Sequence, residues 1–572
     1  MGTRGENKEF SEPSEAQMTQ WWAAGDTPVR THSEVTYFVD GRAALLEMCR
    51  QFVKAKQTIY LANWGMEPDM LLVRGKDALP DSSTPWKRSV LSESLRAEGF
   101  QDVDIEFWLN HPLSVKEVLR YAVNKGVEVK VLLWKAKKAF AVYDSQAAYE
   151  KLTEAGITCL LDDSAEGILH HQIESLHQKV TIVDHTYAFV GGVDPLIEKE
   201  DDFDRWDTPE HPFTTSLRLT SSGTTPHAWH DVHARIHGPA AGDVELNFRQ
   251  RWNDMVHRHH LEKHLSVPEH PLPEPVESKS IVQIARTVPQ HTYSFDKNAI
   301  LGITQLYQSA LQQAQHSIYL ENQYFWQRAY YGVDVPFVGK DSKEMEIHIG
   351  QIITALRRGA CASLILPDHP NVGRAFSDAS ITTVREAVPQ AVQEGRFQVF
   401  TLATSHFQED DGLNHYRPIY VHAKVAIIDD HWSTVGSANL NNRGMHDDTE
   451  INVATLDADL AYGLRLLLQG EHLGLLAHED LENAHLLFQR THLNMLERRK
   501  AQKAFDQLEE ALEDPLQALK LMQQRAAENL QRYKTHHPLL GHLLPYLTAG
   551  EATEQGLPFQ EEHGWLEEAA NK

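Results

Sequence analysis

Two imidazoles and two ammoniums recur in this 572-residue chain at one shared spacing. His177, Lys179 and Asp184 are followed by Gly191, Gly192 and Asp194; His422, Lys424 and Asp429 are followed by Gly436, Ser437 and Asn439. In both copies the Lys stands two positions after the His, the Asp seven, the first Gly fourteen, and an acid or amide seventeen. A single H-x-K stretch is most often an ordinary half-exposed strand. Two copies in register, each joined to a matching Gly-containing turn, point to duplicated halves that build one site between them.

The chemistry these groups suit is phosphoryl transfer. An imidazole near neutral pH can be a nucleophile when neutral or a general acid when charged, so a pair can divide the labour. Two lysines put positive charge where the non-bridging oxygens of a phosphodiester would lie, and that charge counts most as the transition state develops. A phosphohistidine would split one difficult displacement into two easier ones, the partner histidine protonating the leaving alcohol and then activating water. Neither a metal nor a cofactor is required by this scheme. A zinc site is the competing reading of closely spaced histidines, and Lys at the second position of both copies argues against it.

The residues that follow each His-x-Lys, Val180 to Val183 and Val425 to Ile428, are mainly β-branched and predict buried strands. At a period of two, His177 shares a face with Lys179 and His422 with Lys424, while Asp184 and Asp429 fall on the opposite parity. The candidate catalytic set is His177, Lys179, Asp184, His422, Lys424 and Asp429, with the two aspartates expected to hold local structure. Gly191, Gly192 and Gly436 read as turn glycines. Gly192, Asp194, Ser437 and Asn439 are candidates for supporting the phosphate site, with turn stabilisation as the alternative.

These residues resemble the phospholipase D superfamily, whose signature is the duplicated H-x-K-x4-D motif. The resemblance extends to the eukaryotic type through Arg205 to His211 (RWDTPEH), Trp229 to Pro239 (WHDVHARIHGP), Asn247 to Trp252 (NFRQRW) and Ile318 to Phe325 (IYLENQYF). It covers the chain from about Asp40 to about Val453. It implies that His177 is the nucleophile and His422 the general acid and later base, with Asp231 orienting the first histidine and Glu450 partnering the second. It implies two lobes facing across a pseudo-twofold axis, and a phospholipase D that releases phosphatidic acid and a free head group, with water or an alcohol as acceptor. A phosphatidyltransferase of the cardiolipin-synthase kind uses the same residues. Eukaryotic-type enzymes without a calcium-dependent targeting domain also resemble lipase toxins that bacteria deliver as secreted effectors, often neutralised by a dedicated inhibitor (immunity) protein.

The elements that must position these groups repeat as well. Ala43 to Lys56 and Ile300 to Gln315 read as helices leading into apolar strands at Thr58 to Trp64 and Ser317 to Asn322. Val115 to Lys125 and Gly350 to Arg358 lead through Gly126 and Gly359 into strands at Val127 to Leu133 and Cys361 to Leu366. Alternating helix and strand predicts an α/β fold with a mixed sheet in each of two pseudo-symmetric lobes. The expected divisions are a loose N-terminal segment (1–30), a first lobe (31–264), a Pro-rich linker (265–280), a second lobe (281–470) and a helical C-terminal appendage (471–572) over the second lobe, with Asp514 and Pro515 starting a helix.

A net charge of -26 argues against nucleic acid as a partner, because phosphate contacts dominate such binding. It favours a phospholipid membrane surface with zwitterionic head groups, choline or ethanolamine, over strongly anionic lipid. Cys49, Cys159 and Cys361 read as core residues and not a disulfide framework. The first residues lack the apolar core of a signal peptide, and no stretch reaches the roughly 20 apolar residues of a membrane span. The expectation is a soluble protein, cytoplasmic when made, exported if at all by a signal-independent route. Among 33 histidines, His257, His259, His260 and His264 read as a solvated helix rather than a metal shell. Trp326, Tyr330, Tyr331 and Phe337 read either as a lipid-dipping loop or as surface packing.

Overall fold

The computed structural model describes residues 19–78, 85–136, 143–166, 174–198, 203–219, 226–329, 340–489, 493–561 and 563–566. The duplication is written into its strand order. The first sheet runs Glu34–Val39, Val232–His237, Tyr187–Gly191, Lys179–Val183, Thr58–Asn63, Glu128–Trp134, Thr158–Asp162. The second contains the matching seven in the same order: Ile281–Val288, Glu450–Leu456, Trp432–Gly436, Val425–Ile428, Ser317–Glu321, Cys361–Ile365, Phe397–Gln408. In each, the last three strands pair in parallel and the rest antiparallel. The expected α/β fold of two mixed-sheet lobes is what the chain forms.

Period-two alternation divides the strand residues between layers. Val180, Ile182, Val190, Ala234 and Ile236 from the first sheet join Val425, Ile427, Val435, Ile451 and Val453 from the second in one cluster between the sheets. Their neighbours of opposite parity, Val183 and Phe189, pack under helices Asp40–Lys54 and Val115–Asn124. Ala426, Ile428 and Ala454 pack under Gly302–Gln313 and Lys343–Arg358. Each Val or Ile removed from water contributes roughly 1.5–3 kcal/mol, so the inter-sheet layer fixes the lobes against each other. The Tyr37 hydroxyl adds a polar pin, lying 3.0 Å from Ser433 Oγ and 3.1 Å from Thr455 Oγ1. The second of the repeat-matched helices starts seven residues before the expected Gly350, because the Ser342 side chain caps it by accepting from Met345 N–H.

Two expected boundaries change, and the linker is held in place. Within the N-terminal segment expected to be loose, residues 19–30 belong to the second lobe: Trp22 is buried among Ile303, Leu306 and Leu311, and Val29–Arg30 pairs with Ile281–Val288. Residues 1–18 lie outside the described residues. Past Leu265, which ends a 3-10 turn, the linker carries no regular structure but is strapped down, with Val267 buried and its backbone bonded both ways to the Asn253 amide, and Val276 N–H donating to His32 O at 3.0 Å. The C-terminal region is not confined to the second lobe. Leu543–Pro545 pairs with Phe397–Gln408, but helix His478–Gln489 packs on Glu34–Val39 of the first lobe, and helix Ala458–Leu473 crosses the expected boundary at 470. Asp514 caps helix Pro515–Lys534 as expected, accepting from Gln517 N–H at 2.8 Å. No helix among the described residues is long and apolar enough to cross a membrane.

One strand changes sheets. Ala228–His230 pairs in parallel with Leu413–Val421 of the second sheet, and Val232–His237 continues in the first. Asp231 sits at the crossing.

Candidate active site

Each signature histidine is anchored by its backbone to a segment of the other lobe. His177 N–H donates to Thr449 O at 3.0 Å, and Thr449 N–H returns to Ser175 O at 3.1 Å. His422 N–H donates to His230 O at 2.8 Å. The residue that follows each accepting carbonyl is an acid, and it reaches the imidazole beside it. Glu450 Oε1 lies 2.9 Å from His177 Nδ1, and Asp231 Oδ2 lies 2.7 Å from His422 Nδ1. The expected pairing of Asp231 with the first histidine and Glu450 with the second is therefore reversed: the acids are crossed between lobes. The cause is the strand that changes sheets. It carries Asp231 out of the first lobe to the edge beside His422, although in the chain it follows the first motif.

The lysines differ between the halves. Lys179 Nζ pairs with Asp194 Oδ2 at 3.0 Å and lies 5.4 Å from the centre of the Trp64 ring. Lys424 Nζ donates to Gln323 Oε1 at 3.2 Å, an oxygen that Asn439 Nδ2 also meets at 3.2 Å. Asp194 and Asn439 are matched positions, as are Trp64 and Gln323, each one residue past an Asn at the end of the equivalent strands Thr58–Asn63 and Ser317–Glu321. One lysine thus has a full counter-charge and the other only amides. Of the four residues expected to support the phosphate site, Asp194 thus acts on Lys179 and Asn439 on the amide that holds Lys424.

The next matched pair, Gly192 and Ser437, supports the crossed acids by opposite means. A Cβ on Gly192 would stand 1.9 Å from Asp231 Oδ1, so only glycine admits that carboxylate. Ser437 instead donates its hydroxyl to Glu450. Asp184 and Asp429 lie at the far ends of their strands and do not meet the imidazoles. Asp184 accepts the backbone N–H groups of Lys56, Gln57 and Thr58, and Asp429 those of Gln315, His316 and Ser317. Both hold φ near +50° while tying the motif hairpin to the start of the neighbouring strand. Their place in the candidate catalytic set is corrected to the structural part expected from parity.

Burial, reinforced by Lys179, Lys424 and Arg443, holds the His177 imidazole well below its ordinary range. Burial, then Lys424 and Arg205, does the same to His422, which also feels Lys179 and His177. Each imidazole thus senses the other half's lysine, as expected of one shared cleft. Burial and the neighbouring Asp448 push Glu450 up against the pull of Lys179. Burial draws Lys424 down to about 7 despite the attraction of Asp231. With Nδ1 facing a carboxylate and the ring neutral, Nε2 carries the lone pair.

Several residues of the site were not singled out by spacing. Trp64 and Gln323 were readable only by aligning the two halves strand by strand. Trp229 packs against His422 with ring centres 4.7 Å apart, and the Arg205 guanidinium lies 3.6 Å above the Trp229 ring, with no hydrogen-bond partner for Nε and Nη1 among the described residues. Arg443 pairs with Asp448 at 2.9 Å and bonds Ser175 Oγ beside the first histidine. His257, His259, His260 and His264 are exposed as expected, but only His257 lies in the helix, Pro239–Arg258, and the other three follow its end. Trp326 is buried and donates to Ser377 Oγ, so it does not dip into lipid; Tyr330, Tyr331 and Phe337 lie outside the described residues.

The family described as phospholipase D matches residues 109–336 and 389–557, and that described as cardiolipin synthase, PLD-like domain, matches 307–468. The chain is 25% identical over 485 residues to phospholipase D alpha 1 of Cynara cardunculus, covering 63% of this chain and 58% of that one. It is 25% identical over 525 residues to phospholipase D A of Dictyostelium discoideum, covering 80% of this chain and 37% of that one. The chain thus spans less than two thirds of the length of either relative. A phosphatidylserine synthase from Haemophilus influenzae Rd KW20 superposes with a TM-score of 0.46 at 11% identity, over 92% of this chain and 100% of that one. The match spans more than half of the chain and both motifs: the chain belongs to the phospholipase D family.

Proposed function

We propose that the chain is a phosphodiesterase of the phospholipase D type that cleaves the bond between phosphorus and the head-group oxygen of glycerophospholipids. The observation that carries this reading is the pair of imidazoles, each tied through Nδ1 to an acid from the opposite lobe and flanked by two buried lysines. In the first step the His177 Nε2 lone pair attacks phosphorus, the P–O bond to the head group breaks, and the leaving oxygen takes a proton from His422. In the second, water gives a proton to His422 as its oxygen attacks phosphorus, and the P–N bond electrons return to His177, leaving phosphatidic acid. The phosphodiester's own negative charge offsets the two lysines and favours the charged form of His422 that the first step needs.

That His177 attacks and His422 supplies the proton rests on the family resemblance. It is supported by exposure, since the His177 side chain is 13% exposed and that of His422 6%. A zwitterionic head group suits a chain of net charge -26. Beside His422, Phe203 and Tyr420 line a groove with His227, His369 and His563, where aromatic faces suit a quaternary or primary ammonium. The test is to incubate the protein with mixed phosphatidylcholine and phosphatidylethanolamine vesicles in ethanol and EDTA and identify products by mass spectrometry. Phosphatidylethanol, absent with His177→Ala, is the expected result; undiminished hydrolysis by His177→Ala contradicts it. Transfer to a glycerol-type acceptor is the second reading, favoured by the cardiolipin-synthase-like match over residues 307–468, and the same assay with such an acceptor in place of ethanol reads it directly.

A further inference from the structure

We propose that His185, Glu245 and His270 form a zinc site at the surface of the first lobe, which fastens the linker between the lobes to that lobe. The three come from separate segments: His185 is the middle residue of the turn Asp184 to Thr186 that closes the first motif hairpin, Glu245 lies in helix Pro239–Arg258, and His270 lies in the linker. His185 Nδ1 lies 2.8 Å from Glu245 Oε1, and the His185 and His270 rings stack with centres 3.8 Å apart. One ligand atom from each residue falls within 4.8 Å of the other two. Tetrahedral zinc with bonds of about 2.0–2.2 Å has ligand-to-ligand edges of about 3.3–3.5 Å, so a shift of about 1.5 Å in the linker imidazole closes the shell. Two nitrogens and one oxygen leave the fourth position to water, and side chains 16% exposed at His185 and 8% at Glu245 let water reach it.

The linker is brought to this place by the helix face that carries Glu245. Residues 242, 245 and 249 share that face. A Cβ on Gly242 would stand 2.6 Å from Leu272 Cδ2 and 3.1 Å from Pro273 Cδ, so glycine lets the linker cross closely one turn before Glu245. One turn after it, Arg249 pairs with the linker's Glu269 at 3.7 Å. His270, between those two contacts, is held beside Glu245. The matched turn of the second lobe carries a different tie. Asp430 follows Asp429 as His185 follows Asp184, with φ of +53° and +57°. Asp430 forms a two-pronged ion pair with Arg465 at 2.6 and 2.8 Å, and Arg465 lies in Ala458–Leu473, the helix that follows Glu450–Leu456 as Pro239–Arg258 follows Val232–His237. The second lobe thus joins turn to helix with its own fixed cation. The first lobe sets two imidazoles and a carboxylate at the equivalent place, and zinc supplies the cation they lack.

The site stands at the end of the motif strand opposite the imidazole of His177, so zinc here takes no part in the reaction. The test compares the full-length protein with His270→Ala, a change at a half-buried linker position outside both half-sites. Each is treated with EDTA, desalted, and titrated with zinc sulfate against a chromophoric chelator. Each is also digested with a glutamate-specific protease, with and without zinc, and cleavage after the exposed Glu269 and Glu274 of the linker is followed by mass spectrometry. The expected result is one zinc equivalent more in the unaltered protein than in His270→Ala, with linker cleavage slowed at least about 10-fold by zinc in the unaltered protein alone. Glu245→Gln should match His270→Ala; whether or not that variant folds, the linker variant decides. Equal zinc uptake by the unaltered protein and His270→Ala, or a smaller effect of zinc on cleavage, leaves an ordinary His185–Glu245 ion pair and overturns the assignment.

Discussion

The two half-sites share backbone, spacing and acid geometry, yet differ in how each charge is balanced. Lys179 has Asp194 as a full counter-charge and lies against Trp64; Lys424 at the matched place donates to the Gln323 amide oxygen, which Asn439 also holds, and to no carboxylate among the described residues. Glu450 is steadied by a hydroxyl from Ser437, whereas Asp231 is admitted by the empty space at Gly192. Duplication supplies two equivalent frames, and substitutions at matched positions make one imidazole differ from the other. Such differences allow one histidine to attack while the other carries the proton.

Substitutions of the imidazoles give the largest effects. His177→Ala is expected to lose at least about 10⁴-fold in kcat with any leaving group, since no other group takes over the covalent step. His422→Ala should lose as much on natural lipid, but with a p-nitrophenyl phosphodiester the loss should shrink to about 10²-fold for release of the first product, because that leaving group needs no proton. Equal losses on both substrates for both variants would erase the proposed asymmetry. Next come the crossed acids. Glu450→Gln should slow formation of the covalent intermediate and Asp231→Asn the proton transfers, each by about 10²–10⁴-fold. Stopped-flow bursts that assign them the other way round would contradict the pairing.

The lysines can be compared by pH. Lys424 must be charged and is drawn down to about 7, so kcat/KM, which reports the free enzyme, should fall as pH rises through about 7, on top of the fall that loss of the His422 proton brings at lower pH. His177, held below its usual range, must be neutral, so the acid limb should lie below pH 6.5. Bound phosphodiester raises Lys424, so the alkaline limb of kcat should lie higher than that of kcat/KM, and Lys424→Arg should remove it. An alkaline limb unchanged in that variant would assign it elsewhere. Gly192→Ala should cost about 10-fold or more in kcat by displacing Asp231, against a smaller loss for Ser437→Ala, which removes one hydrogen bond of about 1 kcal/mol. The smallest effects on turnover belong to Asp184→Ala and Asp429→Ala: denaturant titration should show a loss of about 1–3 kcal/mol with activity per folded molecule retained.

The twin signatures, the parity of their residues and the α/β repeat were all legible in the chain, because strand periodicity and turn glycines are local properties. The crossing of the acids was not. Asp231 follows the first motif in sequence, and only the strand register that carries Ala228–His230 into the other sheet brings it to His422. Residues 19–30 read as loose because they are polar, yet the burial of Trp22 is a long-range contact with the second lobe.

The division of labour between the imidazoles is tested most directly by locating the covalent adduct. His422→Ala is mixed with a p-nitrophenyl phosphodiester, quenched within the burst, digested, and sequenced by mass spectrometry. The account predicts a phosphoryl adduct on His177 that accumulates because no base activates water. An adduct on any other residue, or a p-nitrophenol burst with no adduct, would contradict it.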